Sequence, residues 1–276
     1  MKVLAISFLF YHTCTAFVQI KAPVAFSTKT QLFGWGPEPI WDEATVVDVS
    51  PASSNSVSLT LDVGEEKVSS YVVPGQYCQV KIAGDDDAQP SFLAIASAPE
   101  EGSWQFLVKQ TDNNGWLTGA NVGTKFDVSQ ILGEGFKMKE NFDGFKYDFP
   151  TQRVLMFAAG SGIAPIRAAI ESNQMLTSGR SARLYYGCRN LEEMAYKEKF
   201  VEWESKGVEV VPVFSQPSSA NAPGRTGYVQ TALEEDGVPT PRNCGALLCG
   251  MKGMAESVTD LLKKSGMFEG RVLTNF

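Results

Sequence analysis

Histidine is almost missing from this chain. Of 276 residues only His12 is one. The sequence beyond it therefore excludes Ser–His and Cys–His nucleophilic pairs and any metal site built on histidine. Cysteine is scarce as well. Cys14, Cys78, Cys188, Cys244 and Cys249 show none of the close, paired spacing of a disulfide scaffold. Cys244 and Cys249 read either as buried strand cysteines or as a redox pair. No apolar run reaches the ~18–20 residues of a membrane-spanning helix. Acids are absent from the start of the chain, where the first carboxylate is Glu38.

That acid-free start has its own pattern. Lys2 precedes a short apolar run, residues 3–10, and Cys14-Thr-Ala16 puts small residues where a signal peptidase reads. Residues 17–34 carry Lys21, Lys29 and several Ser and Thr. Signal followed by transit peptide is the expectation for residues 1–34, and it resembles the two-part presequences of algae with secondary plastids. The expected location is the chloroplast stroma, and an ordinary secretory signal is the alternative. Without those residues, 21 basic side chains face 31 acidic ones, a net charge of −10. Such a balance argues against nucleic acid and anionic membrane surfaces as partners.

The second half of the chain alternates strands and helices. Arg153-Val-Leu-Met-Phe157 reads as a buried strand, Gly160-Ser-Gly162 as a turn, and Ala168-Ala-Ile-Glu171 as the body of a helix. Glycines at such a turn let the backbone approach a diphosphate, and the helix start offers N–H groups and the positive end of the dipole. Pro165 suits the first helical turn, where its missing N–H is not needed. The spacing G-x-G-x-x-P departs from the dinucleotide fingerprint G-x-G-x-x-G. On its own it is equally a plain strand-to-helix turn. Three later segments strengthen it: the strand Arg183-Leu-Tyr-Tyr-Gly-Cys-Arg-Asn190, the strand and glycine turn from Gly245 to Met254, and a closing strand from Arg271 to Phe276. Together they indicate a parallel α/β sheet over residues 150–276, with ligands at the carboxyl ends of its strands.

Residues 38–147 instead show short alternating strands between turn signals, as in Ser56–Asp62, Tyr77–Ile82 and Trp104–Lys109. A small antiparallel barrel is expected there. The acids of Gly84-Asp-Asp-Asp-Ala88 lack the ligand alternation of a calcium loop, so no metal site is assigned.

Four motifs now stand in order: Pro74-Gly-Gln-Tyr77, Gly160-x-Gly-x-x-Pro165, Tyr186-Gly-x-Arg189 and Cys249-Gly-x-x-x-Met254. In that order and spacing they resemble the ferredoxin–NADP reductase-like flavoproteins, across about residues 40–276. Phe92-Leu-Ala-Ile-Ala-Ser-Ala-Pro99 is similar to a plant and algal plastid branch. The resemblance implies two domains, an FAD-binding antiparallel β-barrel (38–147) before an NAD(P)-binding parallel α/β domain (150–276).

It also implies roles. Gly160, Ser161, Gly162 and Pro165 would hold the nicotinamide diphosphate, and Arg189 would lie near the adenosine ribose, where a guanidinium suits a 2′-phosphate. Tyr196 resembles the adenine-stacking tyrosine, with Lys197 or Lys199 as a further phosphate partner; a plain amphipathic helix is the other reading of that run. Arg225 and Tyr228 are weaker loop candidates. Cys249 would touch the nicotinamide ring, and Gly250 and Met254 would let the backbone fold close to it. Phe276 would cover one flavin face, or simply fill the core.

The flavin half departs from the pattern. Where the family carries R-x-Y-S-x-x-S, this chain has Ser91-x-Leu93-Ala94-x-x-Ser97, so the diphosphate arginine, the stacking tyrosine and the serine that bonds flavin N5 are replaced. Ser97 remains. Gly115 and Thr118 in Asn113-Asn-Gly-Trp-Leu-Thr118 resemble a second diphosphate turn, though Asn-Asn-Gly is equally a tight turn. The expectation is an NAD(P)H-dependent flavin oxidoreductase that binds FAD and NADPH and passes electrons to an unknown acceptor. The alternative is a non-catalytic plastid protein that binds NADPH or docks a complex. Acidic ferredoxin is disfavoured as partner, since the family's photosynthetic members meet it with a basic face.

Overall fold

The computed structural model describes residues 38–143, 147, 149–175, 180–219 and 221–275. The presequence reading of residues 1–34 and the flavin-covering role of Phe276 both lie outside the described residues.

The first half folds as β1 (Asp42–Ser53), β2 (Ser56–Asp62), a short α1 (Glu65–Ser70), β3 (Tyr77–Ile82), β4 (Ser91–Ala94), β5 (Trp104–Lys109), α2 (Gly115–Thr118) and β6 (Lys125–Val128). Its sheet runs β4-β3-β6-β1-β2-β5, antiparallel at every pairing. A bridge between Ile95 and Phe106, with the Ala96 N–H donating to the Gln105 carbonyl at 2.7 Å, joins the end of β4 to β5. The sheet thereby curls into a barrel, which removes its edges. Alternation explains the filling: Leu59 and Leu61 on β2, and Trp104 and Phe106 on β5, face inward and are fully buried.

The second half continues with β7 (Arg153–Ala159), α3 (Ile163–Glu171), β8 (Ser181–Cys188), α4 (Phe200–Ser205), β9 (Val208–Phe214), β10 (Arg225–Thr226), α5 (Val229–Asp236), β11 (Cys244–Cys249), α6 (Lys252–Lys264) and β12 (Val272–Thr274). All six strands are parallel, in the order β10-β9-β8-β7-β11-β12. The chain leaves β7 toward one edge and returns to β11 on the other side. The switch point therefore falls between β7 and β11, where open α/β sheets bind ligands. Strands covered on both faces need continuous apolar runs, and Val154-Leu-Met-Phe-Ala158 and Ala246-Leu-Leu248 supply them.

Helix α3 is buried along its length, from Ile163 to Ile170. Such a helix cannot border water. Its Ile163, Ile166 and Ile170 share one cluster with Ala96 and Leu107 of the barrel half and with Phe136, Met138 and Phe142 of the connection. Gly245 makes room for that joint, since a Cβ there would stand 2.4 Å from the Phe142 ring. On the other face of the sheet, α6 presents Met254, Ala255, Val258 and Leu262, a helical stripe, to the strands.

Candidate functional site

The site begins with two glycines. After Ala159 ends β7, Gly160 takes a left-handed conformation (φ 54°), and a turn of 3-10 helix, Gly160–Gly162, runs into α3. Gly162 lies where no side chain fits: a Cβ would stand 2.2 Å from the Cys249 carbonyl oxygen and 3.0 Å from the Gly250 nitrogen. Gly250 answers it, with a Cβ there 2.9 Å from the Ala159 Cβ and 3.0 Å from the Met254 Cε. The ends of β7 and β11 are thus packed backbone to backbone. Pro165, third residue of α3, is buried, and its missing N–H falls where a helix does not need it.

A cavity of about 400 Å³ opens above these strand ends. That is the size range of small-molecule and cofactor sites. Gly160, Ser161 and Met254 form its base. Gly187, Cys188 and Arg189 at the end of β8, Ser215 beyond β9, and the loop Gly227 to Gln230 form one wall. Asn55, Ser56, Leu107 and Lys109 of the barrel half line it as well. Two large apolar side chains stand at its surface in water, Tyr228 at 58% exposure and Met251 at 68%. Lys109 from the barrel half and Arg189 from the α/β half bring positive charge, and Glu193 lies 3.9 Å from Lys109 Nζ and 3.6 Å from Arg189 Nη1.

The thiols and the buried phenol here are held un-ionised. Burial pushes the Cys249 thiol up to about 12, and the Cys188 thiol up to about 11 against the opposing hydrogen bonds of Tyr186 and the Gly160 amide. Burial also lifts the Tyr186 phenol well above its ordinary range. Its hydroxyl oxygen accepts the Ala195 N–H at 3.2 Å. A cavity lined by glycines, the neutral Cys188 thiol and two cations that share one carboxylate, Glu193, can bind and orient an anionic, partly aromatic ligand.

Several expected residues assemble. Gly160, Ser161, Arg189 and Met254 line the cavity, Gly162 and Gly250 shape it from behind, and half-buried Cys249 ends β11 beside them. Pro165 belongs to the fold and does not reach the cavity.

Tyr196 is corrected. It is 3% exposed, with the Arg167 guanidinium 4.8 Å from its ring centroid, so it cannot offer a face to an adenine. Lys197 donates to the Leu191 carbonyl (2.8 Å) and Lys199 pairs with Glu171 (3.0 Å), and neither lines the cavity. The exposed ring at the cavity is Tyr228. Arg225 turns from the cavity to Asp236, at 2.6 Å.

Ser97 is corrected as well. Its hydroxyl donates to the Ser103 carbonyl (3.0 Å) and accepts the Gln105 N–H (3.1 Å), and the residue is fully buried. It ties the segment after β4 to β5, and both of these hydrogen bonds are made within the fold. Leu93 pairs with Cys78 and packs on the barrel core, while Phe92 points to the outer face, 60% exposed, beside Tyr77. Gly115 and Thr118 form α2 on the barrel, apart from the cavity lining; Gly115 is exposed and Thr118 donates to the Asn114 carbonyl at 3.3 Å. Lys109, Glu193, Asn55 and Met251 are among the lining residues that sequence reasoning did not find. Only Lys109, a cation closing an alternating strand, carried any local signal.

An antiparallel barrel before a parallel sheet, with a glycine cradle at the switch point, defines a nucleotide-dependent oxidoreductase fold. Residues 156–260 match the family described as Oxidoreductase NAD-binding domain. Fruit protein pKIWI502 of Actinidia deliciosa is 32% identical over 247 residues, which are 85% of this chain and 76% of that protein. One component of the Na(+)-translocating NADH-quinone reductase of Psychrobacter arcticus is 26% identical over 188 residues; the match spans 66% of this chain and 43% of that component. Among solved structures, a ferredoxin NADP+ reductase from Neisseria gonorrhoeae with bound FAD and NADP superposes with a TM-score of 0.71 at 16% identity, over 85% of this chain and 97% of that one. The chain belongs to the ferredoxin–NADP reductase-like family of flavoprotein reductases.

Proposed function

We propose that the protein is an NAD(P)H-dependent flavin oxidoreductase, drawing electrons from a nicotinamide and delivering them through FAD to a separate acceptor. The observation that carries this reading is the backbone contact of Gly162 with Cys249 and Gly250, which holds the β7 and β11 ends open toward a cavity of cofactor size. A nicotinamide dinucleotide fits the residues present. The 3-10 turn that leads through Ser161 and Gly162 into α3 offers backbone N–H groups to a diphosphate, Lys109 and Arg189 offer cations, and Tyr228 offers a ring face. Beside the nicotinamide end, the un-ionised Cys249 contributes shape rather than charge. Positioning is what a transfer between two bound rings requires of the protein.

A bound flavin supplies the electron acceptor that the side chains lack. The β4 residues do not match the family's way of holding it, because Ser91 brings no charge and Leu93 packs on the barrel core. Backbone N–H groups at the start of α2, around Gly115, are the diphosphate element that remains. Purified protein should show flavin absorbance, alone or after adding FAD, and should oxidise NADH or NADPH with ferricyanide. Absence of both flavin absorbance and FAD uptake would sink the reading.

The turned-in Leu93 and the committed Ser97 favour a second reading, a plastid protein that binds NADPH or docks a complex without turnover. Nucleotide binding with no dye reduction would select it. The acid-free residues 1–34 support plastid import, and a fluorescent fusion of that segment that is secreted instead would overturn this assignment.

A further inference from the structure

Glu193 lies inside the cavity, where a ligand of negative charge would go. Its side chain is 17% exposed, and it pairs with both Lys109 and Arg189, which are more open to water at 41% and 61%. Among the described residues neither cation has a second carboxylate within ion-pair distance. Both contacts, at 3.9 and 3.6 Å, are longer than a charge-assisted hydrogen bond of about 2.7–2.9 Å. They hold the two cations in place without saturating them.

The loop that carries Glu193 is anchored on both sides. The Asn190 side chain accepts the Glu193 N–H at 3.0 Å. The neighbouring Glu192 carbonyl accepts the Ser54 N–H at 2.9 Å, from the β1–β2 hairpin, and its carboxylate accepts the Ser218 hydroxyl at 2.8 Å. Glu193 is thus a placed carboxylate rather than a solvated surface acid. Lys109 comes from the barrel half and Arg189 from the α/β half, so the carboxylate bridges the two halves.

We propose that Glu193 is the specificity-determining residue of this cavity, a resident anion that a nucleotide phosphate must displace from Lys109 and Arg189 in order to bind. The inference rests on the nicotinamide reading above and deepens it. Entry of the phosphate exchanges a bridge made by the protein for one made by the ligand. The carboxylate sets a cost on each phosphate that reaches those cations, and that cost weakens as salt screens it. The phosphate is either the 2′-phosphate that distinguishes NADPH or the diphosphate shared by both dinucleotides.

Calorimetric titration of the purified full chain, wild type and Glu193→Gln, with adenosine, adenosine 2′,5′-bisphosphate, NADH and NADPH tests this. At low ionic strength Glu193→Gln should bind phosphate-bearing ligands on the order of tenfold tighter, from loss of one nearby negative charge. Adenosine should be unaffected, and the gain should shrink at about 0.5 M salt. Glu193→Asp keeps the charge and should stay near wild type. A gain for NADPH alone assigns the exchange to the 2′-phosphate; equal gains for NADH and NADPH assign it to the diphosphate. Unchanged or weaker nucleotide binding by Glu193→Gln, as when the carboxylate accepts ribose hydroxyls, overturns the proposal while leaving the nicotinamide reading intact. Failure of wild type and variants alike to bind either dinucleotide overturns both.

Discussion

Gly162 and Cys249 touch through backbone alone: a Cβ on residue 162 would lie 2.2 Å from the Cys249 carbonyl oxygen. The neighbour is main chain in the centre of a parallel sheet, so it cannot swing aside. Gly162→Ala must therefore push the β7 turn away from β11. Overpacking of this kind costs about 1–3 kcal/mol. We expect a lower thermal midpoint together with loss of NADH and NADPH binding by titration. An alanine variant that binds dinucleotide as wild type does would refute the close-packed cradle.

Tyr228 and Tyr196 should behave in opposite ways. Tyr228 is exposed at the cavity, so Tyr228→Ala should leave stability unchanged and weaken nucleotide binding by roughly tenfold, the scale of a lost aromatic contact. Tyr196 is buried under Arg167, so Tyr196→Ala should cost about 3–5 kcal/mol of stability, as large aromatic truncations do. Urea unfolding and nucleotide titration on the two variants separate these outcomes. The reverse pattern would restore Tyr196 as the stacking residue.

The buried thiols give stability a sign with pH. Burial raises Cys249 to about 12 and Cys188 to about 11 from an ordinary 9.0, and raises Cys78 further still. Below pH 9 these thiols are protonated in both folded and unfolded chains and contribute no pH dependence. Above it the unfolded chain releases protons that the folded one keeps, so stability falls as pH rises from about 9 toward 11–12. Denaturant midpoints across that range should decline. Alkylation of native protein at about pH 8, read by mass spectrometry, should leave Cys249 unmodified long after unfolded protein has reacted, because the thiolate is the reactive form.

Arg271 is fully buried, and among the described residues no carboxylate pairs with it. Its guanidinium donates to the Arg242 carbonyl at 2.7 Å and to the Phe149 carbonyl, and lies 4.6 Å from the Tyr147 ring and 5.6 Å from that of Phe268. The planar fork meets carbonyls at its edge and rings on its faces, which an ammonium cannot do. Arg271→Lys should destabilise by about 2–4 kcal/mol, the range of a broken buried network. Equal urea midpoints for Arg271→Lys and wild type would remove this role.

Ser97→Ala should lose about 1–2 kcal/mol from its two hydrogen bonds without altering FAD uptake. Weaker FAD binding at unchanged stability would return Ser97 to the cofactor.

The strands were legible because their signals are local. Ser56–Asp62, Tyr77–Ile82 and Trp104–Lys109 alternate apolar and polar residues, and each forms over those bounds. Gly160 and Gly162 were legible because only glycine tolerates the left-handed turn and the contact with Cys249. Tyr196 misled because its neighbours resemble a binding motif, whereas its exposure depends on Arg167, twenty-nine positions away. Ser97 misled for the same reason, since the groups that occupy it come from the next strand. Lys109 and Glu193 are eighty-four positions apart and meet only across the cavity.

By itself the sequence determined the class of fold and the glycine cradle. Each of these depends on residue type at short spacing, where backbone sterics and alternation decide. Tertiary structure alone decided which tyrosine faces the ligand, which serine is consumed by the fold, and that a carboxylate stands between two cations in the cavity. Burial and charge pairing are set by whatever the chain brings close in space, and no local pattern encodes that.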